Sequence, residues 1–375
     1  MRNIFILLFT LCFVMCAPRQ SDNTISVDLD HPEKASLFDY FRSIDLIPLE
    51  TSSDALVQAL TKVVEHEDKY YALDKPQCLI FVFDKAGKFL YKIGTKGQGA
   101  GEYAFISDFN INPFSGNLEI LEPYGRIHVY SLLGDFIETK RISYPEFKVA
   151  HSLAALDNDI YVSHSLFEPK KIAYFDLNKQ ELLHEEFEED MAIGSYSQIP
   201  YQYKDEWFFY RPFHPIVYKI GKKQLEASFK FDFGKYTKDG RTAVLSQEAK
   251  KNFTKNKEEM YAQYSYMIQA VRHNDKYIFA SVLWKDNDHR ANIIYDKSTG
   301  KSKYIIEFDE KVWFNSYRGE EIIVTDQYAM MPIQWVDLEK RVTKEMLNDK
   351  QQIILEKLLQ ADTEQNPILI KYWFK

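Results

Sequence analysis

The feature that most constrains this chain is a short motif that returns at nearly fixed intervals, which is the signature of a repeat architecture. The copies are FVFDKAGKF (81–89), HVYSLLGDF (128–136), AYFDLNKQE (173–181), VYKIGKKQL (217–225) and IIYDKSTGK (293–301). Each copy is an apolar strand that runs into a polar turn and a second strand. The equivalent positions are Phe83, Tyr130, Phe175, Lys219, Tyr295 and, in the last strand, Tyr372. Intervals of roughly 40 to 50 residues are typical of propeller blades, so six equivalent positions predict six blades.

The second unit gives the clearest picture of one blade. Its segments FISDFNIN (105–112), NLEILE (117–122), RIHVYS (126–131) and FIETKRI (136–142) are apolar or alternating and are separated by turn residues. Each blade is therefore predicted to be a four-stranded antiparallel meander. A propeller leaves no exposed sheet edge at its seam when one terminus completes the blade begun by the other. SIDLIPLE (43–50) is accordingly predicted to be the outer strand of the blade that contains ILIKYWFK (368–375).

Two of the intervals between motifs are about 30 residues longer than the others and indicate insertions. Residues 247–263 are rich in Lys, Glu, Met and Ala, and residues 344–360 place apolar side chains at roughly helical spacing. The predicted fold class is thus all-β, a six-bladed β-propeller with two helical insertions on one face.

The first residues predict export. Residues 1–15 contain one basic residue, Arg2, and an apolar run over 4–14 that is shorter than the roughly 20 residues needed to span a bilayer. Cys16 follows directly, and the segment resembles a bacterial lipoprotein signal in which this cysteine becomes the acylated first residue. Simple cleavage and an uncleaved anchor remain alternatives. The expected organisation is a signal peptide over 1–15, a polar tether over 16–36 and the propeller over 37–375, attached to a membrane by its lipid only.

Composition narrows the partners and the redox chemistry. The chain has 47 Lys and Arg against 55 Asp and Glu, a net charge of −8, which argues against a nucleic-acid partner because such binding depends on basic surface. Of the 3 cysteines only Cys78 lies beyond Cys16, so no disulfide framework forms within one mature chain. Cys78 is expected to be a small buried side chain.

The loop after the first blade resembles a known repeat. The segment GTKGQGAGEYAFISDFNINPFSGNLEILEPYGRIHVYSLLGDF (94–136) has the glycine-rich turn, the Gly-Glu-aromatic step and the strand pattern of the NHL-type repeat. With IPLET (47–51) and NPILIKY (366–372), the chain resembles the six-bladed β-propeller lipoproteins of Gram-negative bacteria. Gly99-Ala100-Gly101 departs from the common Gly-Pro-Gly of that repeat. The resemblance implies architecture and secretion, and a shared fold does not by itself supply a function.

Standard catalytic motifs are absent from the sequence. It has no Gly-x-Ser-x-Gly elbow and no His-Glu-x-x-His pair, and its glycine run leads into a strand rather than a helix, so neither a cofactor nor a metal is predicted. Asp286, Asp288 and His289 could hold a cation or form a solvated acidic turn. His151, His164 and His214 lie in three successive blades, where they could converge on the axis or serve as hydrogen-bonded structural residues.

The geometry of a propeller predicts where a binding surface should lie. In each blade the loop between the second and third strands emerges on the same face as the crossing to the next blade, and we call this the loop face. Long loops on a rigid scaffold commonly form binding surfaces. The candidate ligand-binding residues there combine flat aromatic rings with cationic donors: Tyr124, Arg126, His164, Tyr210, Arg211, His214, Trp284 and Arg290, with Phe167 beside them.

These observations favour a binding function. The leading prediction is a non-catalytic, lipid-anchored module on the periplasmic or outer-membrane surface that recognises a glycan, a peptide or an envelope protein. The alternative is a propeller lyase or hydrolase with a central-cavity active site, in which His164, Arg211 and His214 act as acid, base or metal ligands, so enzymatic activity is left open. A third reading is a structural subunit of an envelope assembly.

Overall fold

The computed structural model describes residues 23–142, 149–165, 170–188, 200–212, 214–237, 246–249, 252, 254–255, 258–259, 266–284, 289–310 and 322–375. Within these ranges the chain forms six sheets, four with four strands and two with five. Each sheet is one blade, and the protein is an all-β six-bladed β-propeller, as the repeat predicted.

Three strands precede the first complete blade: β1 (Thr24–Ser26), β2 (Glu33–Ala35) and β3 (Phe41–Pro48). Blade 1 consists of β4 (Leu60–His66), β5 (Lys69–Asp74), β6 (Leu79–Asp84) and β7 (Phe89–Ile93). Blade 2 consists of β8 (Asp108–Ile111), β9 (Leu118–Leu121), β10 (Arg126–Tyr130) and β11 (Phe136–Arg141). Blade 3 consists of β12 (Ser152–Ala155), β13 (Ile160–His164), β14 (Lys170–Asp176) and β15 (Glu181–Glu188).

The second half of the ring repeats this order. Blade 4 consists of β16 (Tyr201–Tyr203), β17 (Glu206–Tyr210), β18 (Ile216–Ile220) and β19 (Leu225–Asp232). Blade 5 consists of β20 (Tyr266–His273), β21 (Tyr277–Trp284), β22 (His289–Asp296) and β23 (Lys301–Phe308). Blade 6 combines β24 (Ile323–Val324), β25 (Tyr328–Ile333) and β26 (Ile368–Phe374) with β3. Two helices, α1 (Leu338–Arg341) and α2 (Asp349–Leu359), lie between β25 and β26. Single 3-10 turns occupy Leu37–Asp39, Gly234–Tyr236, Trp335–Asp337 and Lys344–Met346.

The sequence motif corresponds to the third strand of each blade. The six equivalent positions fall in β6, β10, β14, β18, β22 and β26. In the first three blades a bulge lies directly before the motif aromatic, between Val82 and Phe83 in blade 1 and at the same place in blades 2 and 3. The polar residue that follows caps the next turn, because the Asp84 carboxylate accepts from the backbone N–H groups of Ala86 and Lys88. The repeat is therefore visible in the sequence because one segment supplies core aromatics, a bulge and a turn cap.

Ring closure follows the prediction. β3, from the beginning of the propeller, pairs antiparallel with the C-terminal strand β26, from Ile368 opposite Pro48 to Phe374 opposite Phe41. β26 also pairs with β25 on its other side. The core lies between neighbouring blades, and one large cluster joins the facing surfaces of blades 3, 4 and 5.

One of the two predicted helical insertions is fully described. α2 begins after Asn348, whose side chain accepts the Gln351 N–H as an N-cap. It buries Leu355 and Leu358 against the blade 6 core. The Gln351 side chain accepts the Leu46 N–H at 2.8 Å, which ties the helix to β3. The other insertion, 247–263, lies mostly outside the described residues, although 254–255 and 258–259 have helical backbone.

The predicted polar tether over 16–36 is wrong from Thr24 onwards. β1 pairs parallel with β19 and β2 pairs parallel with β23, so this segment adds a fifth outer strand to blades 4 and 5. Ile25, Val27 and Leu29 alternate with exposed polar residues and are 2%, 3% and 2% exposed. A period of two with one face buried is a strand pattern, and here it covers the outer edges of two blades.

We expect the edge strand to contribute to stability. Ile25→Asn should lower the free energy of unfolding by roughly 2–4 kcal/mol, because it leaves a cavity and places an amide in an apolar site. Ser26→Asn, on the adjacent and exposed position, should change it by less than about 0.5 kcal/mol. Urea unfolding of the two variants tests this. Equal midpoints would mean that the segment is not part of the cooperative fold.

Candidate ligand-binding cavity

The propeller contains a cavity of about 340 Å³ along its axis, which we call the axial cavity. Its described wall comes from the innermost strands of blades 1, 2, 4, 5 and 6 and from the starts of two second strands. The lining residues are Lys62, Val63, Val64, Glu65, Asn110, Ile111, Tyr201, Gln202, Trp207, Arg272, Ile322, Ile323, Val324, Thr325 and Tyr328. This volume is at the small end of the range for ligand pockets.

The axial cavity lies next to the turns that join first and second strands. Ile111 and Arg272 are at or near the ends of β8 and β20, while Trp207 and Tyr328 are at or near the starts of β17 and β25. In an antiparallel blade these turns are at the opposite end from the loops between second and third strands. The cavity is therefore in the half of the channel away from the loop face. Gln202 is exposed, so solvent reaches the wall beside it.

The Lys62 ammonium is paired inside the wall. Its Nζ lies 2.8 Å from the Asp108 carboxylate and donates to the Asn110 side-chain oxygen at 2.9 Å. The Lys62 and Asp108 side chains are only 14% and 11% exposed. The pair joins the innermost strands of blades 1 and 2, and it neutralises both charges.

The Glu65 carboxylate is likewise enclosed by donors. Lys85 and the Tyr328 hydroxyl donate to it, and the Lys371 ammonium lies 3.9 Å away. Lys371 also lies 3.9 Å above the Tyr328 ring, and burial lowers its pKa although Glu65 opposes this. Burial, helped by the bond to Glu65, raises the pKa of Tyr328, so its hydroxyl stays a donor. This network crosses from blade 1 to blade 6.

Arg272 links blades 4, 5 and 6. Its Nε donates to the Ile322 carbonyl at 2.9 Å and its Nη1 to the Val271 carbonyl at 2.8 Å. Its guanidinium carbon lies 4.8 Å from the centre of the Tyr201 ring, a cation–π contact. Each of the three ionised side chains that line the described wall is thus engaged by the protein itself.

Trp207 differs from these residues. It is 5% exposed, and in the described part of the chain its indole N–H has no hydrogen-bond acceptor. Trp207 stands directly opposite Gln202 across the β16–β17 ladder, so the two side chains are neighbours on one face. An unsatisfied buried donor costs roughly 1–3 kcal/mol, and such groups in native proteins call for an explanation.

The Tyr201 ring in the cavity wall is held from behind by His273. The Tyr201 hydroxyl and the His273 Nδ1 are hydrogen-bonded at 2.9 Å, and the imidazole packs edge-on against Phe208 and Phe229. Burial lowers the pKa of His273 to about 3, and the nearby Lys297 and Arg272 charges add to this effect. The imidazole is therefore neutral at physiological pH.

Three neighbouring turns join at the end of the channel nearest the cavity. Lys204 of blade 4 lies 2.7 Å from Asp275 of blade 5 and 3.2 Å from Asp326 of blade 6. The Tyr203 hydroxyl lies within hydrogen-bond distance of both carboxylates, 2.9 Å from that of Asp275. These bonds lower the pKa of Asp275 and raise that of Lys204. The turns of blades 4 to 6 thus form one charged, internally paired rim.

Comparison with known proteins places the chain in a family. A model described as a domain of unknown function, DUF4934, matches residues 22–372. The chain belongs to the DUF4934 family.

Two solved structures have a similar fold. A protein from Bacteroides fragilis NCTC 9343 described as exported is 19% identical and has a TM-score of 0.72, and the match covers 94% of this chain and 99% of that one. A DUF4221 family member from Bacteroides vulgatus ATCC 8482 is 12% identical, with a TM-score of 0.54 over 89% and 97% of the two chains. At these identities the likeness shows the fold alone. Among curated proteins, none matches this sequence.

The predicted loop-face residues of this DUF4934 chain differ in their surroundings. Tyr124 is 71% exposed, and Arg126 pairs through Nε with the buried Glu122 at 2.5 Å. His164, Tyr210 and His214 are buried. The Tyr210 hydroxyl donates to the Gln269 carbonyl at 2.9 Å, and the His164 ring packs against Phe209, so both have structural contacts.

The remaining predicted positions are only partly described. Arg211 is half-buried, in the loop between β17 and β18. Trp284 ends β21 and Arg290 lies in β22, and their side chains lie outside the described residues, as do Cys16, Phe167, Asp286 and Asp288. None of the eight predicted ligand-binding residues lines the described wall of the axial cavity.

Two further sequence expectations concern metals and cysteine. In the described ranges no three His, Cys, Asp or Glu side chains are grouped as metal ligands, and no helix is long and apolar enough to cross a membrane. Cys78 is buried, as expected, with its thiol donating to the Ala104 carbonyl at 3.3 Å. Burial raises the pKa of this thiol, which disfavours the reactive thiolate.

Proposed function

We propose that this protein is a non-catalytic binding module of the cell envelope and that the axial cavity holds its ligand. The observation that carries the proposal is a cavity that solvent reaches and that has Trp207 in its wall, a buried donor for which the described residues supply no acceptor. The indole nitrogen is itself shielded from solvent, so a ligand oxygen would satisfy this donor after a small movement of the wall. The surrounding ionic pairs and the neutral His273 fix the other wall residues in place, and such preorganisation reduces the entropy lost on binding.

The proposed location rests on sequence and on likeness. The segment over 1–15 has a secretory pattern, and the Bacteroides fragilis protein with the same fold is described as exported. We propose that Cys16 is acylated and that the chain is an NHL-like lipoprotein on the periplasmic or outer-membrane surface. Labelling with radioactive palmitate tests the anchor, since label that persists in Cys16→Ala would rule it out.

The loop face is proposed as a second, partner-binding surface. We place both helical insertions there, at 247–263 and 344–360. Support comes from the position of α2, which lies between the second and third strands of blade 6 in the way that the shorter loops do in the other blades. Tyr124, the most exposed of the predicted binding residues in the described part of the chain, would contribute to this surface.

Blocking the cavity tests the proposed function. Residues 17–375 are purified and screened by thermal shift against three probe sets: neutral oligosaccharides, uronic-acid oligosaccharides and short peptides. A ligand at 100 times its dissociation constant stabilises the folded state by about 2.7 kcal/mol, so the melting temperature should rise by a few degrees.

Matched variants locate the binding. Gln202→Trp, which fills the cavity from its exposed wall, should abolish the rise. Asn178→Trp, in an exposed turn of blade 3, should leave it unchanged. Equal responses in both variants would overturn the site, and no response to any probe set would overturn the function.

A further inference from the structure

We infer that the ligand of the axial cavity is an uncharged sugar of one or two rings. This inference rests on the proposed function and narrows it from a general ligand to one chemical class. Three properties of the cavity carry it: the state of its charges, the position of its neutral donors and the chemistry of its walls.

The charges in the wall have partners already. Lys62 is held by Asp108 and Asn110, and Glu65 by Lys85 and the Tyr328 hydroxyl. A carboxylate or ammonium on the ligand would have to displace one of these partners, or be buried without a counter-charge. Either change costs several kcal/mol, because a separated buried pair leaves an uncompensated charge. A neutral ligand leaves these pairs intact.

The neutral hydrogen-bonding groups stand together. Gln202 and Trp207 are cross-strand partners, and side chains in such pairs have Cβ atoms about 5 Å apart. The indole N–H is a donor only, whereas the amide both donates and accepts. Adjacent hydroxyl groups on a sugar ring match this pair, since one oxygen accepts from the indole and its neighbour exchanges hydrogen bonds with the amide.

The rest of the wall suits a ring with apolar faces. The wall also includes the aromatic residue Trp207 and the aliphatic residues Val63, Ile111 and Val324. A pyranose has C–H groups on its faces and hydroxyls at its edge, so it can pack against the apolar wall while its edge meets Gln202 and Trp207. A cavity of about 340 Å³ limits the bound part to one or two rings.

Isothermal titration calorimetry on residues 17–375 tests the inference. The neutral probes are methyl glucopyranosides, methyl galactopyranosides, maltose and cellobiose, and the charged probes are glucuronate and glucosamine. We expect at least one neutral probe to bind and its charged counterparts to bind at least ten-fold more weakly. Affinity for the neutral probe should change less than about two-fold between 0.05 and 1 M NaCl, because no ion pair forms.

Two variants identify the donors. Trp207→Phe keeps an aromatic ring and removes the N–H, and it should weaken binding by about ten-fold. Gln202→Ala should also weaken binding, and because Gln202 is exposed the substitution should leave folding intact. Trp335→Phe is the control, because its indole already donates to the Leu358 carbonyl at 2.8 Å in the blade 6 insertion. It should leave the affinity unchanged.

The outcomes separate the inference from the function. If glucuronate or glucosamine binds as tightly as a neutral sugar and Trp207→Phe abolishes that binding, the uncharged-sugar assignment is overturned while the cavity remains a binding site. The same holds if only peptides bind there. If a neutral sugar binds equally well to Trp207→Phe and Gln202→Ala, the ligand lies elsewhere and the assignment fails.

Discussion

A chain that ends at Gln365 will not fold into a stable propeller. The deletion removes β26, which lies inside blade 6 and is hydrogen-bonded to β25 on one side and β3 on the other. Ile368, Leu369 and Ile370 are each 0% exposed and Tyr372 is 1% exposed. Burying each such side chain contributes roughly 1.5–3 kcal/mol, so the four together match the 5–15 kcal/mol stability of a typical domain.

The deletion also removes a side chain that positions the approach to blade 1. Asn366 accepts the Val57 N–H at 2.9 Å and donates to the Glu50 and Ala55 carbonyls. Without it the segment between β3 and β4 loses its link to the last blade. Loss of both the strand and this link should open the ring at blade 6.

Circular dichroism melts and soluble yield measure the effect. We expect the truncated chain to be insoluble or to melt without a cooperative transition. A chain that lacks only the exposed Lys375 should melt within about 2 °C of the full-length protein. A cooperative melt of the truncated chain near the normal temperature would show that closure of blade 6 is not what holds the ring together.

The sequence predicted the ring because its signal is concentrated in the third strands. Phe83, Tyr130 and Phe175 each combine a buried aromatic with a bulge, and a capping Asp or Ser follows. A segment that must satisfy all three requirements tolerates few residue types, so it repeats. SIDLIPLE could be assigned as an outer strand because the last blade of a propeller needs a strand from the beginning of the chain to complete its sheet.

The edge strand at the N-terminus was predictable but was missed. ISVDLD alternates apolar and polar residues over six positions, which is a strand pattern. Its frequent Asp and Ser residues made the composition resemble a tether. The composition of a segment does not depend on the order of its residues, so it does not distinguish the two faces of a strand. The alternating pattern does, and it predicts the burial of Ile25, Val27 and Leu29.

The axial cavity could not be predicted from repeats. The inner strands place chemically different residues around the axis, such as Lys62, Asn110, Gln202 and Arg272, so no motif marks them. These residues could have been found by aligning the sequences of all blades on their third strands. Such an alignment would identify the polar residues on the innermost strands. The burial of His164 and Tyr210, by contrast, depends on packing between blades, which residue type alone does not predict.

The second large effect expected is a loss of stability in mild acid that depends on His273. In the unfolded chain this imidazole takes up a proton as the pH falls below its usual pKa of 6.5, whereas in the folded protein burial lowers the pKa to about 3. The unfolded state therefore binds more protons between these values. The contribution of His273 is fully present above pH 6.5 and decreases as the pH falls towards 3.

The size of the effect follows from the pKa difference. One pKa unit corresponds to 1.36 kcal/mol. His273 alone should therefore make the free energy of unfolding about 2 kcal/mol lower at pH 5.0 than at pH 7.5. His273→Gln provides the comparison, because a glutamine amide can still hydrogen-bond the Tyr201 hydroxyl but does not titrate. The carboxylates titrate equally in both proteins, so the difference between them isolates His273.

Urea unfolding at pH 7.5 and pH 5.0 gives the four free energies that are needed. The wild-type protein should lose about 2 kcal/mol more than His273→Gln over this interval. In the folded protein His273 stays neutral at pH 5.0, so it continues to hold Tyr201 in the wall of the axial cavity. The acid step should therefore weaken ligand binding only by unfolding the protein. Equal losses in the two proteins would mean that the pKa of His273 is the same in the folded and unfolded states, so that burial does not hold the imidazole neutral.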